Sequence, residues 1–280
     1  MNTIDNLVSI LAYIIKQGKL PRLIRPKTLT DKILFIKLRP NLTQSTLRKV
    51  IADRIQVRDY VKKNSQDCDL IPILWCGEEL TLDVWNNLPE QFVIKANHGS
   101  KMVRIVNKNN DNFISVYNDT EKWKKIDYYK KGREWVYKDL NRKIIVEELI
   151  NFNSDIPPDY KFFCLNGKVQ FVQVDLSRFK SHKRNIYDKN FNLLDVEYQF
   201  PKGEHIKKPI LYDNAVAIAE DLSKELDFIR VDLYILENKI YFGEMTNFPG
   251  NCLEKFKPEN FDLEMGTKLV INKSFKRSLI

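Results

Sequence analysis

The sequence predicts an α+β chain whose two β-containing halves meet near residue 148. Three observations carry that expectation. Helical spacing of apolar residues dominates residues 1 to about 62. From Leu70 onward the texture changes to short runs of β-branched and aromatic residues bounded by turn residues. The segment Ile229 to Phe248, IRVDLYILENKIYFGEMTNF, reads as a hairpin with an acid on each arm at equal distance from its turn. With 280 residues and 43% apolar content the chain can bury a sizeable core in one or two domains, which excludes a disordered protein. It carries no internal repeat and no low-complexity tract.

In chain order, Ile4, Leu7, Val8, Leu11, Ile14 and Ile15 follow helical spacing, which predicts a helix packed by that face on the core. The stretch is too short and interrupted to span a bilayer, and no basic segment precedes it as in a signal peptide. The cluster Lys16, Lys19, Arg22, Arg25 and Lys27 directly after it resembles a membrane-surface anchor, a second expectation for the same helix. ADRIQVRDYVKK reads as an amphipathic helix with Ile55, Val57, Tyr60 and Val61 on its apolar face. QFVIKANHGSKMVRIV reads as strand, loop, strand, with Lys95 ending the first strand and Asn97-His98-Gly99-Ser100 at the tip. Residues 119 to 140 suggest a helix and its approach, and RKIIVEELI (142 to 150) a strand. YKFFCLNGKVQFVQVDL is a hairpin around Asn166-Gly167, followed by an irregular basic stretch to about Pro209 and a helix from Asp213 to Leu226. The units expected are a helical region 1–62, a lid 63–147 and a core 148–280.

The last hairpin carries the sharpest chemical signal. A three-residue loop, Glu237-Asn238-Lys239, puts Asp232 and Glu244 opposite each other on one face, with Arg230 opposite Thr246. Like charges so placed destabilise a sheet unless a hard cation sits between them, and Mg²⁺ is typically held by one or two carboxylates plus nucleotide phosphates. The plainer alternative is two solvated strand acids. A two-residue loop would shift the register and send the acids to opposite faces.

Charge and cysteines bound the function. The formal charge of +9 favours anionic partners: nucleotides, anionic polysaccharide, nucleic acid or an acidic membrane leaflet. Aromatic residues are not interleaved with Lys and Arg in a single-strand-binding pattern, so no nucleic-acid partner is expected. Cys68, Cys76, Cys164 and Cys252 are far apart and lack zinc spacing, which argues against a disulfide framework or structural zinc and fits a cytoplasmic protein.

Three further segments could meet a nucleotide. Lys95 and the small-residue loop after it offer a cation and backbone N–H groups for phosphate, although a surface lysine beside a hairpin tip explains the same residues and no Walker motif exists. His98 has the same two explanations. IIVEELI ends in Glu147 and Glu148, a place for a flat heterocycle or merely a solvated strand end, and DYKFFCLNGK places Lys161 on a half-buried strand.

The order of these pieces, with DKILFIKLRP, FVIKANHGS, IIVEELI, DYKFFCLNGK, RVDLY and YFGEMT, resembles the ATP-grasp superfamily over nearly the whole chain. It is most similar to the TupA-like branch, associated with teichuronopeptide and capsular polysaccharide biosynthesis. The resemblance implies two α+β subdomains gripping ATP, with a short helical N-terminal region. It implies that Arg58 and Lys95 contact phosphates, that His98, Gly99 and Ser100 close over them, and that Glu147, Glu148, Leu149 and Ile150 hold adenine. Asp159 or Lys161 would lie near the ribose and phosphates, and Asp232 and Glu244 would ligate Mg²⁺. The chain departs from the pattern where Thr246 then Asn247 stand for the usual third metal ligand, and where Asp53-Arg54 replaces the branch's Asp-Lys.

The implied activity is an ATP- and Mg²⁺-dependent carboxylate–amine ligase acting through an acyl phosphate on a cell-surface polysaccharide or its precursor. Lys95 and Arg230 would stabilise developing charge, Arg230 having a structural salt bridge as its alternative role. In the basic stretch, Arg178, Lys180, Lys183 and Arg184 are candidates to bind an acidic sugar or a second carboxylate, a solvated loop being the plainer alternative. A kinase or glycosyltransferase of the same biosynthesis is the alternative, and a basic non-catalytic binding module a further one. Peripheral contact with the inner membrane face or the polysaccharide machinery is assigned to the N-terminal basic helix.

Overall fold

The computed structural model describes residues 3–150, 158–176 and 182–271. Helices α1 (Thr3–Gln17), α2 (Leu29–Leu38), α3 (Ser45–Ala52) and α4 (Val57–Asn64) open the chain. Strands β1 (Asp69–Leu70) and β2 (Ile73–Gly77), helix α5 (Leu82–Asn87), strands β3 (Gln91–Ala96) and β4 (Val103–Asn107), helices α6 (Phe113–Lys125) and α7 (Tyr128–Gly132), and strand β5 (Ile144–Glu148) follow. Then come β6 (Asp159–Leu165), β7 (Lys168–Leu176), β8 (Lys183–Asp188), β9 (Glu197–Tyr198), α8 (Tyr212–Ser223), β10 (Phe228–Ile235), β11 (Ile240–Thr246), β12 (Phe256–Lys257) and α9 (Glu259–Lys268).

Two principal sheets result. The smaller has the order β2-β5-β3-β4 and the larger β1-β11-β10-β6-β7-β8, with β9 and β12 pairing beside them. Within the expected lid 63–147 the smaller sheet packs its own core of Leu80, Phe92, Ile94, Val106, Val116 and Val146, whereas β1 pairs in parallel with Tyr241 and Phe242 of β11 in the larger sheet. The N-terminal helices join the larger sheet's core: Ile51, Val57 and Val61 share it with Phe162, Val172, Leu222, Val231 and Leu233. The basic stretch before Pro209, expected to be irregular, supplies β8 and β9, because Asn185, Ile186 and Tyr187 fit a fully buried strand despite the flanking charges.

Strand alternation divides the larger sheet. Ile229, Val231 and Leu233 of β10 point into the core under α8, whereas Arg230 and Asp232 point to the other face. On that second face, Phe163 and Phe171 stack with ring centroids 4.3 Å apart and pack among residues of α2 and α9. The polar part of the face is left for the cleft. At the β6–β7 turn, Asn166 and Gly167 have φ of 50° and 76°, as expected for a two-residue hairpin turn with both residues left-handed.

Two local expectations are corrected. ADRIQVRDYVKK is not one helix: α3 ends at Ala52, and Asp53 Oδ1 accepts from Ile55 N at 2.9 Å, a local turn that outcompetes helix continuation. Helix α1 is inverted relative to the expected packing. Its buried residues are Asp5, Ser9, Tyr13 and Gln17, while Ile4, Leu7, Val8, Leu11 and Ile15 are exposed.

Candidate active site

The Asp232–Glu244 pairing exists, and the turn expected to produce it does not. Leu236 N donates to Lys239 O at 2.8 Å, and Ile235 pairs with Ile240, so the connection is the two-residue turn Glu237-Asn238. Carried along a regular ladder, that turn would set Asp232 opposite Gly243. A bulge between Asp232 and Leu233 instead absorbs one residue of β11, and Glu244 pairs with Asp232 and Thr246 with Arg230. Gly243 is the residue taken up, and a Cβ there would lie 2.9 Å from the Asp232 carbonyl oxygen.

Basic side chains surround the two carboxylates. Arg230 donates from Nε to Asp232 Oδ1 and from Nη2 to Asp232 Oδ2, both at 2.7 Å, and from Nη2 to Glu244 Oε1 at 3.2 Å and Thr246 Oγ1 at 3.0 Å. Lys161, opposite Asp232 on β6, donates to Asp232 Oδ2 at 2.9 Å and also to Asp159. Burial pushes the Asp232 carboxyl up to about 6 against the pull of Arg230 and Lys161. Burial also works to raise Glu244, but Arg54, Arg230 and Lys161 overcome it and hold that carboxyl down at about 2. The Glu244 side chain is 40% exposed, so solvent screening moderates the effect. Lys161 stays protonated: burial opposes its charge, and Asp159 and Asp232 more than offset this.

Facing them from the smaller sheet, Lys95 of β3 and Glu147 of β5 form an ion pair, and Arg58 of α4 reaches the same carboxylate at 3.4 Å. Lys95, Arg58, Glu147, Gly99, Arg54, Gly243 and Glu244 all line one cleft between the sheets. Arg54 ties its two walls together. Its Nη1 donates to Ala96 O at 2.7 Å and to Gly99 O, while Nη2 lies 3.6 Å from Glu244 Oε2. Tyr137, with no signal in the sequence, closes the cleft edge against Tyr128, ring centroids 4.9 Å apart.

The remaining expected residues divide. Glu148 is exposed on the opposite face of β5 from Glu147, its N–H bonded to Pro72 O at 3.1 Å, and Leu149 and Ile150 follow the strand end half-buried. Gly99 lines the cleft, and His98 turns away, its Nε2 3.2 Å from Trp123 O. The loop is therefore not a free flap. Asn97 secures it through Asp53 at 3.1 Å, Asn141 O at 2.8 Å and Lys143 N at 2.8 Å. Asn247 is not brought to the carboxylates, because its amide exchanges bonds of 3.1 Å with buried Arg48. Arg184 is buried and engaged by Asp175 at 2.6 Å, Tyr198 O at 3.1 Å and Glu254 at 3.5 Å, which withdraws it from solution ligands. Arg178 lies outside the described residues.

Among the described residues no group of three or more His, Cys, Asp or Glu could hold a metal. Mg²⁺ takes hard oxygen ligands, which Asp232 and Glu244 could supply; Glu244 lines the cleft, while both oxygens of buried Asp232 are engaged by Arg230 and Lys161.

A family model described as TupA-like ATPgrasp matches residues 32–270. The chain belongs to the TupA-like ATP-grasp family. Solved structures similar to this TupA-like protein include a D-alanine–D-alanine ligase from Bacillus anthracis complexed with ATP, at 14% identity and a TM-score of 0.43, covering 71% of this chain and 54% of that one. A D-alanine–D-alanine ligase from Helicobacter pylori aligns at 16% identity and a TM-score of 0.45, covering 80% and 60%. An N5-carboxyaminoimidazole synthase from Aspergillus clavatus in complex with ADP and 5-aminoimidazole ribonucleotide aligns at 11% identity and a TM-score of 0.42, covering 77% and 50%. The chain thus spans 50% to 60% of the length of these three proteins. No curated protein matches the sequence.

Proposed function

We propose that this TupA-like ATP-grasp protein is an ATP- and Mg²⁺-dependent carboxylate–amine ligase that modifies a capsular or cell-surface polysaccharide or its precursor. The observation that carries the proposal is the cleft lined by Lys95, Arg58 and Glu244, with buried Asp232 paired to Glu244 across the β10–β11 ladder. Mg²⁺ held by Asp232 and Glu244 would neutralise phosphate charge. In the free protein Glu147 holds Lys95 and Arg58 at the wall, so a polyphosphate entering the cleft meets two cations already directed inward. Arg230 and Lys161 keep Asp232 oriented, and Arg54 couples the Ala96–Gly99 loop to Glu244.

In the proposed reaction a substrate carboxylate oxygen attacks the γ-phosphorus and the bond to the ADP oxygen breaks. The resulting acyl phosphate is attacked at its carbonyl carbon by an amine, which loses a proton as phosphate departs. Negative charge develops at phosphoryl oxygens beside Lys95, where a fixed cation lowers the barrier. A uronic acid or similar sugar carboxylate is the proposed acceptor. The test is product analysis with uronic acids and amines. ADP and phosphate released only when both acceptors are present support the ligase; AMP release refutes it, and a phosphorylated product from a single acceptor makes the protein a kinase. Calorimetric titration of ATP with and without Mg²⁺, repeated with Asp232→Asn/Glu244→Gln, isolates the metal site.

A further inference from the structure

Helix α1 turns its polar side to the protein and its apolar side to solvent. Ile4, Leu7, Val8, Leu11 and Ile15 range from 40% exposed at Val8 to 78% at Ile15. At helical spacing they fall in a stripe about 100° wide. The opposite side makes specific polar contacts: Asp5 accepts from Tyr129 and from Arg133 at 3.3 Å, Tyr13 donates to Asp31 at 2.8 Å, and Gln17 donates to Glu254 O at 3.0 Å. The orientation is therefore set by buried hydrogen bonds, and the stripe faces outward in the folded chain. The stripe continues into a segment where Leu20 and Ile24 are also exposed, the latter by 92%.

Charge supplies the second observation. Between residues 3 and 30 the acidic residues amount to Asp5 alone, which is buried and engaged, against five basic residues, Lys16, Lys19, Arg22, Arg25 and Lys27. Lys19 pairs with Glu259 at 3.1 Å, while Lys16, Arg22, Arg25 and Lys27 are exposed. An exposed apolar stripe followed at once by exposed cations is complementary to a surface that is apolar beneath and anionic at its rim. No helix among the described residues is long and apolar enough to cross a membrane. We infer that α1 and residues 18–27 form a docking surface for an anionic lipid bilayer, the stripe entering the acyl boundary and the cations meeting the headgroups. The inference does not depend on the ligase reading.

Co-sedimentation of the full chain with phosphatidylcholine vesicles, with and without phosphatidylglycerol, tests it. Wild type is expected to pellet with the anionic vesicles and to be released by salt. Leu7→Glu/Leu11→Glu and, separately, Arg22→Glu/Arg25→Glu are expected to reduce partitioning at least about tenfold while keeping wild-type circular dichroism and ATP binding. These four side chains lie outside the cleft. Wild type remaining in the supernatant with both vesicle types overturns the inference. So does a dimer, seen by light scattering and dissolved by Leu7→Glu/Leu11→Glu, in a protein that ignores vesicles; the stripe would then belong to a second copy of this chain.

Discussion

Gly243→Ala tests whether the bulge is what sets the two carboxylates opposite each other. The added methyl would lie 2.9 Å from the Asp232 carbonyl oxygen, 3.3 Å from Tyr234 Cε2 and 3.4 Å from the Asp232 carbonyl carbon. The nearest atom is main chain on β10, which is paired with β11 on one side and β6 on the other, so it cannot swing away like a side chain. Relief requires the two strands to part at the bulge. Overpacking of this kind costs about 1–3 kcal/mol, roughly 2–12 °C in Tm for a chain of this size. Parting the strands also moves Glu244 away from Asp232, so the Mg²⁺-dependent component of ATP affinity is expected to fall about tenfold or more. Urea denaturation measures the first effect, and calorimetric titration of ATP with and without Mg²⁺ the second. Glu244→Gln separates them, since it removes a ligand charge and leaves Gly243 in place. A Gly243→Ala protein with wild-type denaturation midpoint and wild-type Mg²⁺ dependence would refute the reasoning.

Lys95→Met is expected to weaken ATP binding about tenfold to a hundredfold, the loss of one charge-assisted phosphate contact, while leaving the fold intact because Arg58 still neutralises Glu147; calorimetry and circular dichroism check both parts. Arg54→Lys is expected to weaken ATP binding severalfold, roughly three to ten times, because an ammonium cannot hold the Ala96 and Gly99 carbonyls and approach Glu244 at once. Burial pushes the Glu134 carboxyl up to about 7, with Lys37 opposing the rise. A carboxyl whose folded pKa lies above its unfolded value stabilises the fold at low pH and loses that contribution as pH rises through the folded value. Resistance to urea should therefore decline as pH rises from the ordinary value of 4.5 to about 7 and level off above it, and Glu134→Gln should flatten the profile.

The sequence by itself determined the elements whose side chains alternate or repeat with a clear period: β3 and β4 around Lys95, β5 with Glu147, the Asn166-Gly167 hairpin, α8, and the arms of the Asp232–Glu244 hairpin. Local sterics and periodic burial decide these, and both are written in neighbouring residues. Chemistry-bearing residues on such strands, Lys95, Glu147, Lys161, Arg230, Asp232 and Glu244, were legible for the same reason. The lone glycine in the strand YFGEMT signalled a bulge, the signal that could have corrected the turn. Tertiary structure decided what depends on which distant partner a side chain meets. Arg54 lies in a turn made by Asp53 and reaches a loop and a strand far away in the chain. His98 and Asn247 carry the right chemistry near the right motifs, yet Trp123 and Arg48 hold them elsewhere. Helix α1 has the periodicity of a core helix, but Asp31, Tyr129, Arg133 and Glu254 select its polar side. A hydrophobic period reveals that a helix has two faces; which of them the protein keeps is decided by the groups waiting on the other side of the contact.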